Sequence, residues 1–149
     1  SRGKFNVPFG SYRNPKIMDT DAILAASEAL STAKLLCGEF SEVQKYAKKD
    51  DFCYFDPPYY PRNATSNFTS YSAQQFGQEQ QKKLRETTDY LSGQGVKVLL
   101  SNSATEFIEE LYADYKQERV MATRMINCLA DKRGAVSEVL IMGGYDEAR

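Results

Sequence analysis

The sequence predicts an α/β fold with a mainly parallel sheet that ends in an antiparallel hairpin. Three features of the 149 residues carry that prediction. Short runs of β-formers alternate with helix-patterned segments, the alternation that builds parallel sheets. Ser-x-x-Gln or Ser-x-x-Glu capping boxes stand at Ser41, Ser72 and Ser103, each at the opening of a helical segment. Near the end, two β-rich runs flank the turn-like Asp131-Lys132-Arg133-Gly134, which reads as a hairpin.

Ser1 to Pro15 is rich in Gly, Pro and Asn, with aromatics at Phe5, Phe9 and Tyr12, and reads as an irregular loop or hairpin arm. Its start without a methionine or lead-in suggests a fragment. Thr20 to Ala33 is alanine-rich, with Ile23, Leu24 and Leu30 as apolar positions, and predicts a helix started by Asp19 or Thr20. Lys34-Leu35-Leu36-Cys37, ended by Gly38, reads as a short strand, and Ser41-x-x-Gln44 as the start of a short helix to about Lys48. Phe52-Cys53-Tyr54-Phe55 reads as a buried strand.

A polar loop follows from Pro61 to Ser70. Ser72-x-x-Gln75 then caps a helix on which Phe76, Leu84 and Leu91 share a face, stopped by Gly93 and Gly95. Val96 to Leu100 is a strand, and Ser103-x-x-Glu106 caps a helix expected to bury Phe107, Ile108, Leu111 and Tyr115. Arg119 to Ile126 and Val136 to Met142 form the hairpin.

Composition excludes several chemistries. A net charge of −1 gives no global signature of nucleic-acid binding, so any such contact rests on local patches. The chain has no histidine, which excludes a His-based triad. Cys37, Cys53 and Cys128 stand singly inside apolar runs; that argues against zinc and fits a reducing cytoplasm. No apolar stretch approaches a membrane span, and the N-terminus is not a signal peptide.

One stretch carries chemistry: Asp56-Pro57-Pro58-Tyr59, directly after the strand from Phe52. Proline fixes its own φ and restrains the residue before it, so Asp56 and Pro57 are held nearly extended. Ligands of open α/β sheets bind at the carboxyl ends of the strands, where this turn falls. Asp56 and the Pro57 carbonyl can each accept one hydrogen of an exocyclic amine. Tyr59 can stack on the ring that bears it, a contact of roughly 1–3 kcal/mol for a base. The plainer alternative is a structural Pro-Pro turn with Asp56 as a cap and Tyr59 as packing. All four residues following an apolar strand favour the site.

With Gly3-Lys4-Phe5-Asn6-Val7-Pro8-Phe9-Gly10 upstream, this motif resembles the Dam-type, D12 class, DNA adenine-N6 methyltransferases. Asn67-Phe68-Thr69-x-Tyr71, Phe76 with Gln80, Leu99-Leu100-Ser101-Asn102 and Glu138-Val139-Leu140-Ile141 fit the same family in order. One departure is Ser101-Asn102-Ser103-Ala104-Thr105, where the family often has Ser-Asn-His-Asp-Thr. The resemblance implies part of a Rossmann-like S-adenosylmethionine-dependent sheet. Residues 1–18 would end a DNA-recognition hairpin, and 19–149 would be the C-terminal part of the catalytic domain. The Gly-rich cofactor loop of the family has no counterpart here, since Gly93-x-Gly95 follows a helix rather than a strand.

By the same resemblance, Asp56, Pro57, Pro58 and Tyr59 are catalytic, gripping the N6 amine of an adenine flipped out of duplex DNA. Glu39, Phe40 and Asp56 would line the S-adenosylmethionine site, although a surface acid beside a packing Phe explains Glu39 and Phe40 about as well. Asn6, Pro8, Tyr12, Arg13, Asn67, Phe68, Thr69 and Tyr71 are the DNA-binding candidates. Arg119, Arg124, Lys132 and Arg133 could touch phosphates or simply be solvated strand edges. The implied partners are double-stranded DNA and the missing N-terminal portion of the chain, in a cytoplasmic, bacterial or phage-like context, with no membrane and no metal. Restriction-modification is one setting for such an enzyme, and GATC is the site read by similar ones. The isolated 149 residues are expected to be inactive. Alternatives that keep the motif are methylation of RNA guanine N2 or cytosine N4; a non-catalytic nucleic-acid-binding remnant is a third.

Overall fold

Among the described residues, four strands, Phe52–Phe55 (β1), Lys97–Ser103 (β2), Lys116–Thr123 (β3) and Ala135–Gly143 (β4), form one sheet in the order β1-β2-β4-β3. The computed structural model describes residues 18–62, 76–123 and 135–145. Along the chain the elements are α1 (Thr20–Leu30), a 3-10 helix (Phe40–Lys45), β1 (Phe52–Phe55), α2 (Gln78–Gly93), β2 (Lys97–Ser103), α3 (Glu106–Leu111), β3 (Lys116–Thr123) and β4 (Ala135–Gly143). β1 and β2 pair in parallel, with Phe55 beside Leu100. β4 runs antiparallel to both β2 and β3. The α/β class and the terminal hairpin therefore hold, while the sheet is mixed rather than mainly parallel among the described residues.

The shortfall in parallel pairing traces to residues 34–37, which form no strand. Leu35 and Leu36 are exposed. A run this short is held as a strand only by a ladder partner, and none of the described strands pairs with it. α1 forms as predicted, with the Asp19 carboxylate accepting the Ala22 amide at 3.3 Å, yet none of its residues is buried.

α2 carries the core stripe. Gln81, Leu84, Thr88 and Leu91 recur at helical spacing, and all are buried. Full burial of each leucine contributes roughly 1.5–3 kcal/mol. Phe76 lies before the helix rather than on it, and Gly77 stands at the N-cap without a side-chain bond. The C-terminus is a Schellman motif: the Val96 amide donates to the Leu91 carbonyl and the Gly95 amide to Ser92. Gly95 supplies the left-handed conformation (φ 77°) that this motif needs. Buried Val96 and Leu91 complete it as the apolar pair.

Val98 and Leu100 of β2, Val139 and Ile141 of β4, and Ile108 and Tyr112 join Leu84 and Leu91 in one core on a single face of the sheet. Phe107, Leu111 and Tyr115 are only half-buried against it, and fully buried Tyr112 is the anchor that the sequence reading missed. Thr105, not Ser103, caps α3, its hydroxyl accepting the Ile108 amide at 3.4 Å. Ser103 is the last residue of β2. The segment after Glu39 is a 3-10 helix whose N-cap makes no side-chain bond, so the Ser41 box does not form as expected.

Candidate active site

β1 and β2 run in parallel, so their carboxyl ends meet, and the residues beyond Phe55 are carried alongside Ser101 and Asn102. β4 returns antiparallel and lays Glu138 opposite Ser103. Three sequence-distant segments thus converge at one end of the sheet.

On the open side, the Ser101 hydroxyl donates to Asp56 Oδ1 at 3.1 Å. The Tyr54 hydroxyl lies 3.0 Å from Ser101 Oγ. Because Ser101 has a single proton, Tyr54 must be the donor in that contact. The order Tyr54 to Ser101 to Asp56 fixes one carboxylate oxygen. Among the described residues, no partner takes the other oxygen or the Pro57 carbonyl. Asp56 itself is exposed and Tyr59 half-buried.

Tyr59 donates its hydroxyl to Glu138 Oε2 at 3.3 Å, which ties its ring to β4. Burial pushes the Tyr59 phenol above its ordinary pKa; the Ser101 hydroxyl opposes this, and Glu138 and Asp56 reinforce it. The phenol therefore stays protonated and remains a donor through the neutral range.

The other side of the same turn is closed. Tyr60 donates its amide to Asn102 Oδ1 at 2.9 Å. Asn102 Nδ2 donates to Gln81 Oε1 at 3.1 Å, and Gln81 Nε2 donates to the Pro58 carbonyl at 3.1 Å. The Tyr60 ring packs on Phe107 with centroids 4.6 Å apart, and its hydroxyl accepts from Gln78 at 2.8 Å. Pro58 therefore gives its carbonyl to the scaffold, while Pro57 keeps its own.

The predicted site residues divide accordingly. Asp56, Pro57, Pro58 and Tyr59 are brought together. Glu39 and Phe40 lie at the start of the 3-10 helix. Glu39 is exposed, and Phe40 is half-buried, edge-on to Phe76 at 5.9 Å. No hydrogen bond or ring contact links them to Asp56 among the described residues. Asn6, Pro8, Tyr12, Arg13, Asn67, Phe68, Thr69 and Tyr71 lie outside the described residues. So do Arg124, Lys132 and Arg133. Arg119 is held by Glu109 through two contacts of 2.6 and 2.7 Å, which leaves its guanidinium engaged within the protein.

Sequence reasoning missed Gln81, naming its neighbour Gln80, and gave no role to Tyr54, Tyr60 or Glu138. The signal for Gln81 was its phase, one turn before Leu84 on the buried stripe. For Ser101 and Asn102 it was a polar end to an otherwise apolar central strand.

The family model for D12 class N6 adenine-specific DNA methyltransferases matches residues 1–126. A type II methyltransferase of Methanocaldococcus jannaschii, M.MjaIII, is 44% identical over 143 residues, covering 95% of this chain and 50% of that protein. The DNA adenine methylase of Haemophilus influenzae is 34% identical over 145 residues, covering 97% and 50% respectively. The DNA N-6-adenine-methyltransferase of Escherichia phage P1 is 36% identical over 142 residues, covering 93% of this chain and 18% of that protein. The chain thus spans about half the length of the archaeal and Haemophilus relatives. With the family model covering most of its length, this chain belongs to the D12 class N6 adenine-specific DNA methyltransferases.

Proposed function

We propose that this chain is the C-terminal portion of a DNA adenine-N6 methyltransferase and supplies its grip on the target base. The observation that carries the proposal is a pair of acceptors at the carboxyl ends of β1 and β2, the second oxygen of Asp56 and the Pro57 carbonyl, both left open among the described residues. The adenine N6 lone pair is delocalised into the ring and is a poor nucleophile. Two acceptors on its hydrogens draw the nitrogen toward tetrahedral geometry and free the lone pair. Stabilising the acidity that develops at N–H matters more here than full deprotonation by Asp56. Tyr59, tethered to Glu138, stacks on the adenine. A base inside a duplex is out of reach, so it is flipped out at a cost of a few kcal/mol.

The methyl donor would be S-adenosylmethionine, which supplies an electrophilic methyl group when bound. The described residues fit part of it. Glu39 is exposed with no capping bond, and Phe40 is half-open, so the pair can border the cofactor adenine. The remaining contacts would come from an N-terminal portion carrying the Gly-rich loop. Two features support such a partner: the half-length match to relatives, and the exposed apolar residues Ile23, Leu24, Leu35, Phe52 and Tyr54 on α1, the following segment and β1. Residues 1–18 would end the DNA-recognition hairpin, 19–149 would complete the catalytic domain, and the enzyme would work on double-stranded DNA in the cytoplasm.

The test is methyl transfer to adenine-containing duplex by the full-length protein and its Asp56→Ala variant. Transfer should vanish in the variant while cofactor affinity is largely kept. Activity above roughly a percent of wild type, a residual barrier increase under about 2.7 kcal/mol, would sink the assignment of Asp56. The 149 residues alone should show no transfer, and detectable transfer would remove the need for the N-terminal portion.

A further inference from the structure

We infer that Gln81 is a positioning residue for the reaction. With Asn102 it forms a buried brace that fixes the Asp56–Tyr59 turn from behind. This rests on the methyltransferase reading for its kinetic consequence, but the brace itself stands on geometry alone.

Gln81 and Asn102 are both fully buried, and a buried amide left unpaired is costly. Each therefore constrains the other. Gln81 spends its oxygen on Asn102 Nδ2 and its nitrogen on the Pro58 carbonyl. Asn102 in turn spends its oxygen on two backbone amides, those of Tyr60 and Ser103, both at 2.9 Å. The Pro58 carbonyl and the Tyr60 amide bracket Tyr59. A bond on each fixes the backbone on both sides of that residue and holds its side chain toward Ser101 and Glu138 while Tyr60 turns to Phe107. Proline alone cannot do this: it sets φ at 57 and 58 and, through Pro58, keeps Pro57 extended, but it leaves ψ of Pro58, and so the direction of the Pro58 carbonyl, free. With Pro58 held by Gln81, Pro57 is the carbonyl that remains for the amine. Gln81 touches neither substrate nor cofactor in this reading, and acts through the turn.

Two variants of the full-length protein test this. Gln81→Met keeps the volume and removes both hydrogen bonds. Hydrogen exchange of the Tyr60 amide reads the brace without reference to any reaction. In Gln81→Met it should accelerate about five- to tenfold, equivalent to roughly 1–1.4 kcal/mol of protection, while the β2–β4 amides stay protected. Unchanged exchange at Tyr60 overturns the brace. In methyl transfer, kcat should fall by up to about 100-fold, as for a misplacement of the order of an ångström, with KM for the cofactor little moved. Faster exchange with unchanged kcat overturns the positioning role. Gln81→Glu separates positioning from packing. Its neutral carboxyl can donate to Pro58 and accept from Asn102, whereas its anion faces the Pro58 carbonyl with no proton to give. Its activity relative to wild type should therefore recover as pH falls, while the Gln81→Met ratio stays flat. A Gln81→Glu ratio that stays flat at the Gln81→Met level overturns the proposal, whereas one flat at the wild-type level supports it, as for a buried carboxyl that stays neutral. A wild-type protein that transfers no methyl group would sink the proposed function, and Tyr60 exchange would still judge the brace.

Discussion

Ser101→Ala tests how the open side of the site is held. The substitution removes the hydroxyl that donates to Asp56 Oδ1 and accepts from Tyr54. A hydrogen bond to a charged group contributes about 1.5–3 kcal/mol. Asp56 is exposed, so water takes over part of the lost contact and the lower end of that range applies. At about 1.4 kcal/mol per decade, the chemical step should slow roughly tenfold. The expected loss is smaller than for Asp56→Ala because the carboxylate survives and only its aim is relaxed. Single-turnover methyl transfer by the full-length enzyme isolates that step from binding and release. Thermal unfolding in parallel checks the fold, since Ser101 is buried. Tyr54→Phe serves as the internal control: Ser101 keeps its proton for Asp56, so the variant should lose less than Ser101→Ala does. A Ser101→Ala rate within about twofold of wild type, under 0.5 kcal/mol, would mean that Asp56 is aimed by something other than this hydroxyl.

Tyr59→Phe removes one hydrogen bond, to Glu138, and should cost the reaction about 0.5–1.5 kcal/mol. Tyr59→Ala should cost more, through lost stacking, when capture of an extrahelical adenine is followed by fluorescence; equal losses would assign the effect to the hydroxyl. Gly144→Ala forces a side chain onto a residue at φ 70° and drives its Cβ into the Val96 carbonyl. It should destabilise the fold by at least about 1–3 kcal/mol in urea unfolding, and a neutral result would contradict the close approach of the β4 end to β2. Tyr112 is fully buried, its hydroxyl without a partner among the described residues, and burial raises its phenol above the ordinary value. A raised folded-state pKa gives stability that is complete below about pH 10 and lost as pH climbs through the folded value. Tyr112→Phe should therefore be as stable as wild type or up to about 1 kcal/mol more stable at neutral pH, and should hold its stability further into alkali. A marked loss at neutral pH would reveal a partner for the hydroxyl.

What the sequence revealed of this fold depended on whether a signal was local. The strand at Phe52 ends in a proline pair, and the helix through Leu84 and Leu91 ends at Gly95. Those stops act through φ restrictions of the residues themselves, so they were readable. The strand expected at Lys34–Cys37 had only apolar character in its favour, and a strand also needs a partner to pair with. The Ser103 box failed for a similar reason. Antiparallel pairing with β4, which sets Ser103 opposite Glu138, extends β2 through Ser103 and shifts the cap to Thr105. The site was half legible. Asp56 to Tyr59 are contiguous, so their rigidity and chemistry could be read directly. Gln81, Ser101 and Glu138 meet them only because α2, β2 and β4 converge, and no spacing along the chain encodes that.

The convergence produces a site with two unlike sides. Behind the turn, amide pairs within the core bind the Pro58 carbonyl and the Tyr60 amide. In front, hydroxyls lead to the carboxylates of Asp56 and Glu138, Asp56 is exposed, and among the described residues an acceptor is left over on either side of the Asp56–Pro57 peptide. A rigid back suits a grip that must present two acceptors at a fixed separation. An exposed front leaves the Asp56 carboxylate within reach of a substrate amine. Drying the front is then the substrate's own contribution. In the proposed function, an extrahelical base stacked on Tyr59 would displace water from Asp56 as its amine arrives, and would strengthen both hydrogen bonds when the nitrogen has to change geometry. On this argument the grip is built to be weak when empty and strong when filled, so substitutions behind the turn should act on kcat more than on base capture.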